Sequence, residues 1–158
     1  MSARSITLHK LFLTLALFAF TSTLFAQSPF VGTWKLDTAK TKFTTGEAPK
    51  DLTVVIEEQG DNFQVTGTGT NADGSAISAK FTVPVKGGTG QIEGGSYETI
   101  TSKVVSANVR EDRLSKGGKV VLSRRIVLSK DGKTMRVTTK GVDPTGKPIA
   151  GTEVFDKQ

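Results

Sequence analysis

A chain of 158 residues is enough for one domain, and its 21 basic against 15 acidic side chains give a formal charge of +6. It has no cysteine and a single histidine, His9. Disulfides, thiol nucleophiles and His/Cys zinc sites are therefore excluded.

The chain opens with Arg4, His9 and Lys10, then an apolar run over residues 11–20 and a polar-to-small stretch over residues 21–26. This is the layout of a secretory signal peptide. The run is shorter than the roughly 20 apolar residues of a membrane-spanning helix, so a retained anchor is the lesser reading. Cleavage is expected after Ala26, and no cysteine follows the run that would carry a lipid. Residues 1–26 then form the signal peptide and residues 27–158 a single domain, periplasmic or secreted. That domain keeps 19 basic and 15 acidic residues, a net charge of +4, and loses the histidine. Histidine acid–base catalysis is excluded with it, and stability must come from the core alone.

Beyond the leader no helical periodicity of useful length occurs; what recurs is alternation. The segment 30–41 contains Gly32 and the only tryptophan, Trp34. Residues 53–56 are β-branched throughout. Phe63, Val65, Gly67 and Gly69 alternate with Gln64, Thr66, Thr68 and Thr70, one apolar face against one hydroxylated face. Ile77, Ala79, Phe81, Val83 and Val85 continue the pattern, with Pro84 marking an edge, a bulge or a strand end. Gly67 and Gly69 fall on the apolar face, where missing side chains let the strand bend or let another group approach, bending in a barrel being the favoured reading. Later strands are predicted over 97–105, 106–114, 120–128, 134–140 and 151–155. Asp-Gly and Gly-Gly signals between these runs supply the positive φ of tight hairpins. Consecutive strands joined this way are antiparallel neighbours. The predicted fold is all-β, an antiparallel up-and-down meander closed into a barrel of about 8–10 strands, which removes its edges. Two packed sheets are the competing architecture.

Gly32-Thr33-Trp34 resembles the Gly-X-Trp signature on the first strand of the calycin superfamily, the lipocalins and intracellular fatty-acid-binding proteins. Lys35-Leu36, the run from Thr53 to Glu57 leading through Gly60-Asp61 to Phe63, and the ending Thr152-Glu153-Val154-Phe155 are similar to the fatty-acid-binding branch. The resemblance implies a barrel around a small hydrophobic or amphipathic ligand, with Trp34 closing one end. It also implies a late-strand arginine packed across that tryptophan, Arg136 or Arg125, a cation–π contact worth about 0.5–2 kcal/mol. Two features of the branch do not carry over. Residues 38–50 contain Gly46 and Pro49 and leave no room for a two-helix lid. Glu153 and Phe155 stand where the branch uses an arginine and a tyrosine to hold a carboxylate. The helix that follows the last strand in lipocalins is not expected either, since few residues follow Phe155.

Arg124 shares a strand face with Val120, Leu122, Ile126 and Leu128. If that face is interior it needs an anionic partner, which makes Arg124 a candidate for an acidic ligand head group. Arg125 has the mirror-image claim on the other face. Tyr97, Phe81 and Phe155 are the remaining ligand-binding candidates, and Gly32, Trp34 and Arg136 the structural signature. The C-terminal part from Lys103 carries a net +7 and residues 27–102 a net −3. That asymmetry can steer an anionic ligand or simply be a solvated face. Phe155 is the only aromatic in the basic part, so nucleic-acid binding is not expected. The Gly87-Gly88-Thr89-Gly90 segment through Gly95 lacks the ending of a phosphate loop and reads as a flexible hairpin or barrel rim. Glu57-Glu58 and Glu111-Asp112 are adjacent pairs whose side chains point to opposite faces of a strand, so paired-carboxylate hydrolysis is not expected. The sequence predicts a monomeric, non-enzymatic binder with no cofactor, no metal and no membrane span in the mature chain. The competing function is an interaction module whose barrel is filled by its own side chains. A continuous pocket above roughly 300 Å³ would favour the carrier and a solid core the module.

Overall fold

The structure, a computed structural model, describes residues 27–94, 97–143 and 145–158. The expected signal peptide lies outside the described residues, as do Gly95 and Pro144 of two expected turns. The described chain forms eleven strands: β1 (Gly32–Leu36), β2 (Lys42–Thr45), β3 (Asp51–Gln59), β4 (Asn62–Thr70), β5 (Ala76–Pro84), β6 (Gly88–Glu93), β7 (Thr99–Ser106), β8 (Val109–Lys116), β9 (Lys119–Leu128), β10 (Thr134–Val142) and β11 (Pro148–Lys157).

Every consecutive pair from β3 to β11 is antiparallel, and β1 pairs with both β3 and β11, so the sheet closes on itself. β1 and β2 lie end to end along β11, with Leu36 opposite Phe155 and Lys42 opposite Thr152. Because those two segments share one position, the eleven strands make a barrel of ten staves. The interruption between them is a turn in which Asp37 Oδ1 accepts the backbone N–H groups of Ala39 and Lys40, and Thr41 N–H donates to Asp37 O. No helix occurs among the described residues, and none there is long and apolar enough to cross a membrane. The closed meander is the architecture expected, and it displaces the packed-sheet alternative.

The hairpins follow from their turn residues. Between β8 and β9, Gly117 and Gly118 both have positive φ, +56° and +69°, with Lys116 opposite Lys119. That is the pair of positive angles a two-residue type I′ turn requires. Pro84 is the last residue of β5, so its missing N–H costs no ladder bond.

Two segments depart from expectation. Residues 88–93, read as a flexible hairpin or rim, form β6 instead. Gly90 explains this: a Cβ there would collide with the Thr82 carbonyl and come within 2.8 Å of Val83 Cα. The glycine lets β6 press against β5 along the short ladder from Lys80–Glu93 to Thr82–Gln91. Likewise Gly69 serves close approach rather than bending, since a Cβ would collide with the Asp51 carbonyl and lie 2.8 Å from Leu52 Cα.

One end of the barrel is closed by side chains. Trp34 is fully buried there, with Phe30 and Phe63 at 4% and 2% exposure. The Trp34 indole N–H donates to Phe30 O at 2.8 Å, satisfying the one polar atom of the buried ring. The ammonium of Lys157, not a late-strand arginine, lies over the Trp34 ring, 5.0 Å from its centroid. Arg136 and Arg125 are exposed on the outer face. They occupy the alternate positions to Met135, Val137 and Ile126, which point inward, so neither can reach the tryptophan. Gly32 fits the same corner: it has φ +137°, and a Cβ would sit 2.7 Å from Lys157 Cε. The turns after β2, β4 and β10 gather at the opposite end, which stays open.

Candidate functional site

The alternation of the strands sends one set of side chains into the barrel, and these surround a cavity of about 180 Å³. Leu52, Val54 and Ile56 from β3, Phe63, Val65 and Gly67 from β4, and Ile77, Ala79, Phe81 and Val83 from β5 line one side. All are apolar. Gly67 contributes space, because nothing lies closer than 3.8 Å to where its Cβ would be.

The other side comes from β8 to β11 and carries Arg110, Asp112, Arg124 and Glu153 among Ile126, Met135, Val137 and Phe155. Arg110 is buried at 7% exposure. Its Nη1 donates to Val85 O at 2.7 Å and its Nη2 to Pro84 O at 2.9 Å and Ser102 Oγ at 2.9 Å, while Nε donates to Ser102 Oγ at 3.2 Å. The guanidinium also lies 5.1 Å from the Phe63 ring centroid and 6.0 Å from that of Phe30. Burial lowers its pKa, opposed by the charge of Asp112. This arginine is a built-in part of the closed end, with its donors spent on the protein.

Arg124 faces inward and Arg125 outward. Arg125 pairs with Glu111 on the exposed surface, whereas Arg124 Nη2 contacts Asp112 Oδ2 at 3.2 Å. The Arg124 guanidinium also packs 5.4 Å from the centroid of the Phe81 ring. The adjacent Glu111 and Asp112 thus point to opposite faces, each to its own arginine. The remaining polar atoms of the inner pair, Asp112 Oδ1 and Arg124 Nε, are buried and have no hydrogen-bond partner among the described residues.

Glu153 stands between the cavity and a wider mouth of about 680 Å³, lining both. The mouth is formed by Phe43, Gly46 and Pro49 after β2, by Asn71 to Ser75 between β4 and β5, and by Asp143 to Ile149 before and within β11. Burial raises the Glu153 pKa, opposed by the positive charge of Arg124.

Of the sequence candidates, Arg124, Phe81 and Phe155 meet at the cavity. Tyr97 does not line it. Its hydroxyl donates to Val142 O at 2.9 Å, and burial first, then the charge of Asp143, push its pKa up to about 12. That is a strand-tying role between the start of β7 and the end of β10. Arg110 and Ser102 are interior residues that the sequence did not single out, and Asp112 was weighed there only as half of an adjacent carboxylate pair. The signal was present in the alternation Arg110, Asp112, Leu114 against Glu111 and Arg113, but only the register with Ile126, Arg124 and Leu122 tells which set faces in.

No protein-family profile matches the chain, and no curated protein matches it in sequence. Among solved structures, the zebrafish ileal bile acid-binding protein complexed with cholic acid superposes with a TM-score of 0.49 at 16% identity, covering 83% of this chain and 100% of that one. A likeness of that degree says nothing of what this chain binds.

Proposed function

We propose that this protein is a non-enzymatic, monomeric carrier that holds one small hydrophobic or amphipathic molecule inside its barrel and works in the periplasm or outside the cell. The observation that carries the reading is the largely apolar cavity, bounded toward the mouth by Glu153 and toward the closed end by Phe30 and Phe63. Its about 180 Å³ is less than the roughly 300 Å³ expected of a pocket for a drug-sized ligand. An apolar cavity of about 150 Å³ nevertheless takes up benzene. The buried part of the ligand is therefore small, about six to eight non-hydrogen atoms by that comparison, with any remainder in the mouth. Export rests on the leader-like residues 1–26.

The same volume supports a second reading, an interaction module whose interior is largely filled. One experiment separates the two. Protein purified from its native compartment is extracted with organic solvent for mass spectrometry and titrated with an apolar fluorescent probe. A co-purifying small molecule and saturable, displaceable probe binding are expected; neither would leave the interaction module as the better account. For export, the expected result is protein recovered outside the cytoplasm with Gln27 at its N-terminus, and full-length protein confined to the cytoplasm would overturn it.

A further inference from the structure

Arg136 does not reach the tryptophan, and its outward position places it in a different setting. On the outer face of the sheet Thr138 of β10 stands opposite Thr152 of β11, and Lys42 of β2 stands opposite Thr152 from the other side. Arg136 and Lys140 lie two residues either side of Thr138, about 7 Å along the strand in each direction and on the same face. All three cations are exposed. Together with the two threonines they line a hollow of about 430 Å³, where the small residues Ala150 and Gly151 leave room above the sheet. No acidic side chain is among its described lining residues. Lys42, Arg136 and Lys140 take no part in the ion pairs of the described residues, whereas Lys40 beside them is held by Asp37 and Asp156. The Thr138 and Thr152 hydroxyl oxygens are 3.2 Å apart, so one gives its hydrogen to the other and the second keeps its own to donate outward. A neighbouring hollow of about 240 Å³ shares Thr138 and Lys140 but contains Glu111, which holds Arg125. That hollow carries its own anion; the larger one does not.

Three long cationic side chains rooted around a hydroxyl pair bring donors from three directions. Like charges so placed repel one another until an anion lies between them. A carboxylate offers two oxygens, whereas a phosphate or sulfate group offers at least three and can meet all three cations at once. The planar fork of Arg136 can grip two of those oxygens. We propose that the outer faces of β2, β10 and β11 form an oxyanion site for a phosphate or sulfate group, with Lys42, Arg136 and Lys140 as its cations and the Thr138–Thr152 pair as its hydroxyl donor. The site lies outside the barrel and does not depend on the interior holding a ligand.

The test is backbone amide NMR of the isotope-labelled protein at pH 7, titrated with sodium phosphate, sodium sulfate or sodium acetate at an ionic strength matched by sodium chloride. Phosphate and sulfate are expected to give saturable shifts centred on Thr138, Lys140, Gly151 and Thr152, with affinities about tenfold or more above that of acetate. The double variant Arg136→Gln with Lys140→Gln should weaken phosphate binding by about tenfold or more, and Lys42→Gln, on a separate strand, by about threefold. Arg113→Gln, in the neighbouring hollow, should change it by less than about twofold. Circular dichroism establishes that each variant is folded. Sedimentation with phosphatidylcholine vesicles, with and without phosphatidylglycerol, identifies the source of the group. Binding only to the phosphatidylglycerol vesicles, lost on adding phosphate and in the double variant, assigns the site to a lipid head group. Phosphate binding without vesicle binding assigns it to a soluble phosphate or sulfate, and either result supports the site. Acetate binding as tightly as phosphate, the absence of any saturable shift, or undiminished phosphate binding by the folded variants would overturn it.

Discussion

The two sides of the barrel interior are built from the same alternating pattern yet hold the molecule together differently. Strands β3 to β5 present an unbroken apolar wall in which glycines set the spacing: Gly67 leaves room and Gly69 lets β4 press against Asp51 and Leu52. Strands β7 to β11 present a wall in which polar groups are built in among Ile126, Met135, Val137 and Phe155, and Arg110 alone ties β8 to Ser102 of β7 and to the carbonyls that end β5. The apolar wall draws stability from burial and tolerates changes that preserve volume. The polar wall is stable only while each group keeps its partner.

Substitutions can sharpen or break that contrast. The largest effect is expected at the end the two walls share: Trp34→Ala should cost about 3–5 kcal/mol, as truncations of core aromatics do, measured by denaturant unfolding. A loss under about 1 kcal/mol, the level of ordinary surface substitutions, would remove Trp34 from its organising place. On the polar wall, Arg110→Met conserves much of the volume but strands the carbonyls of Pro84 and Val85 and the hydroxyl of Ser102, at about 1–3 kcal/mol for each group that water cannot reach. If Arg110→Met proved as stable as the unmodified protein, the polar wall would be no more demanding than the apolar one.

The two glycines of β4 should respond with opposite signs. Gly69→Ala forces Cβ into the backbone of Asp51 and Leu52 and should cost about 1–3 kcal/mol, the usual range for overpacking. Gly67→Ala meets only ordinary contacts at 3.8 Å from Ala79 and Leu52. It should stabilise by about 0.4–1 kcal/mol through the less flexible unfolded chain, while narrowing the cavity and weakening dye binding. Equal signs in thermal unfolding would show that the wall is not spaced as described.

The smallest effect expected is one of pH. Burial holds the Glu153 proton above its ordinary pKa of 4.5, so between that value and the higher folded one the native state binds more protons than the unfolded chain. Stability therefore falls as pH rises through that window. Glu153→Gln should flatten the fall. Asp73 and Asp131 shift the other way, chiefly through hydrogen bonds from the hydroxyls of Ser75 and Ser129; the stability they contribute is lost as pH falls, below 3.8. The two windows are distinct, and unfolding midpoints from pH 3 to 8 for both proteins separate them.

The meander and its closure were legible because strand alternation and glycine turns are local signals; the place of Trp34 was legible only through the resemblance of Gly32-Thr33-Trp34 to a first-strand signature, and the structure buries it at the closed end. The register was not. Arg124 and Arg125 are adjacent and chemically identical, and one step along a strand exchanges inside for outside. The pairing of Arg124 with Asp112 depends on the Gly117–Gly118 turn and on the one-residue register shift between Leu114 and Ser115 that follows it. β6 was hidden for a related reason: its glycines read as looseness, whereas Gly90 is where β6 packs so tightly on the Thr82 carbonyl that no Cβ fits. The partner of Trp34 was misplaced because a family habit favours a late-strand arginine, while here Lys157 reaches the ring from the end of β11.

Both ends of the described chain lie at the closed end of the barrel, where Gln158 N–H donates to Thr33 O at 2.9 Å and Lys157 Nζ to Pro29 O at 3.3 Å. Anything joined before Gln27, whether a leader awaiting removal, a tether or an affinity tag, therefore attaches on the side opposite the mouth. A barrel held by its N-terminus to a membrane, a bead or a surface would present the ring of turns around Phe43, Asn71 and Lys147 outward, leaving the mouth clear of the support.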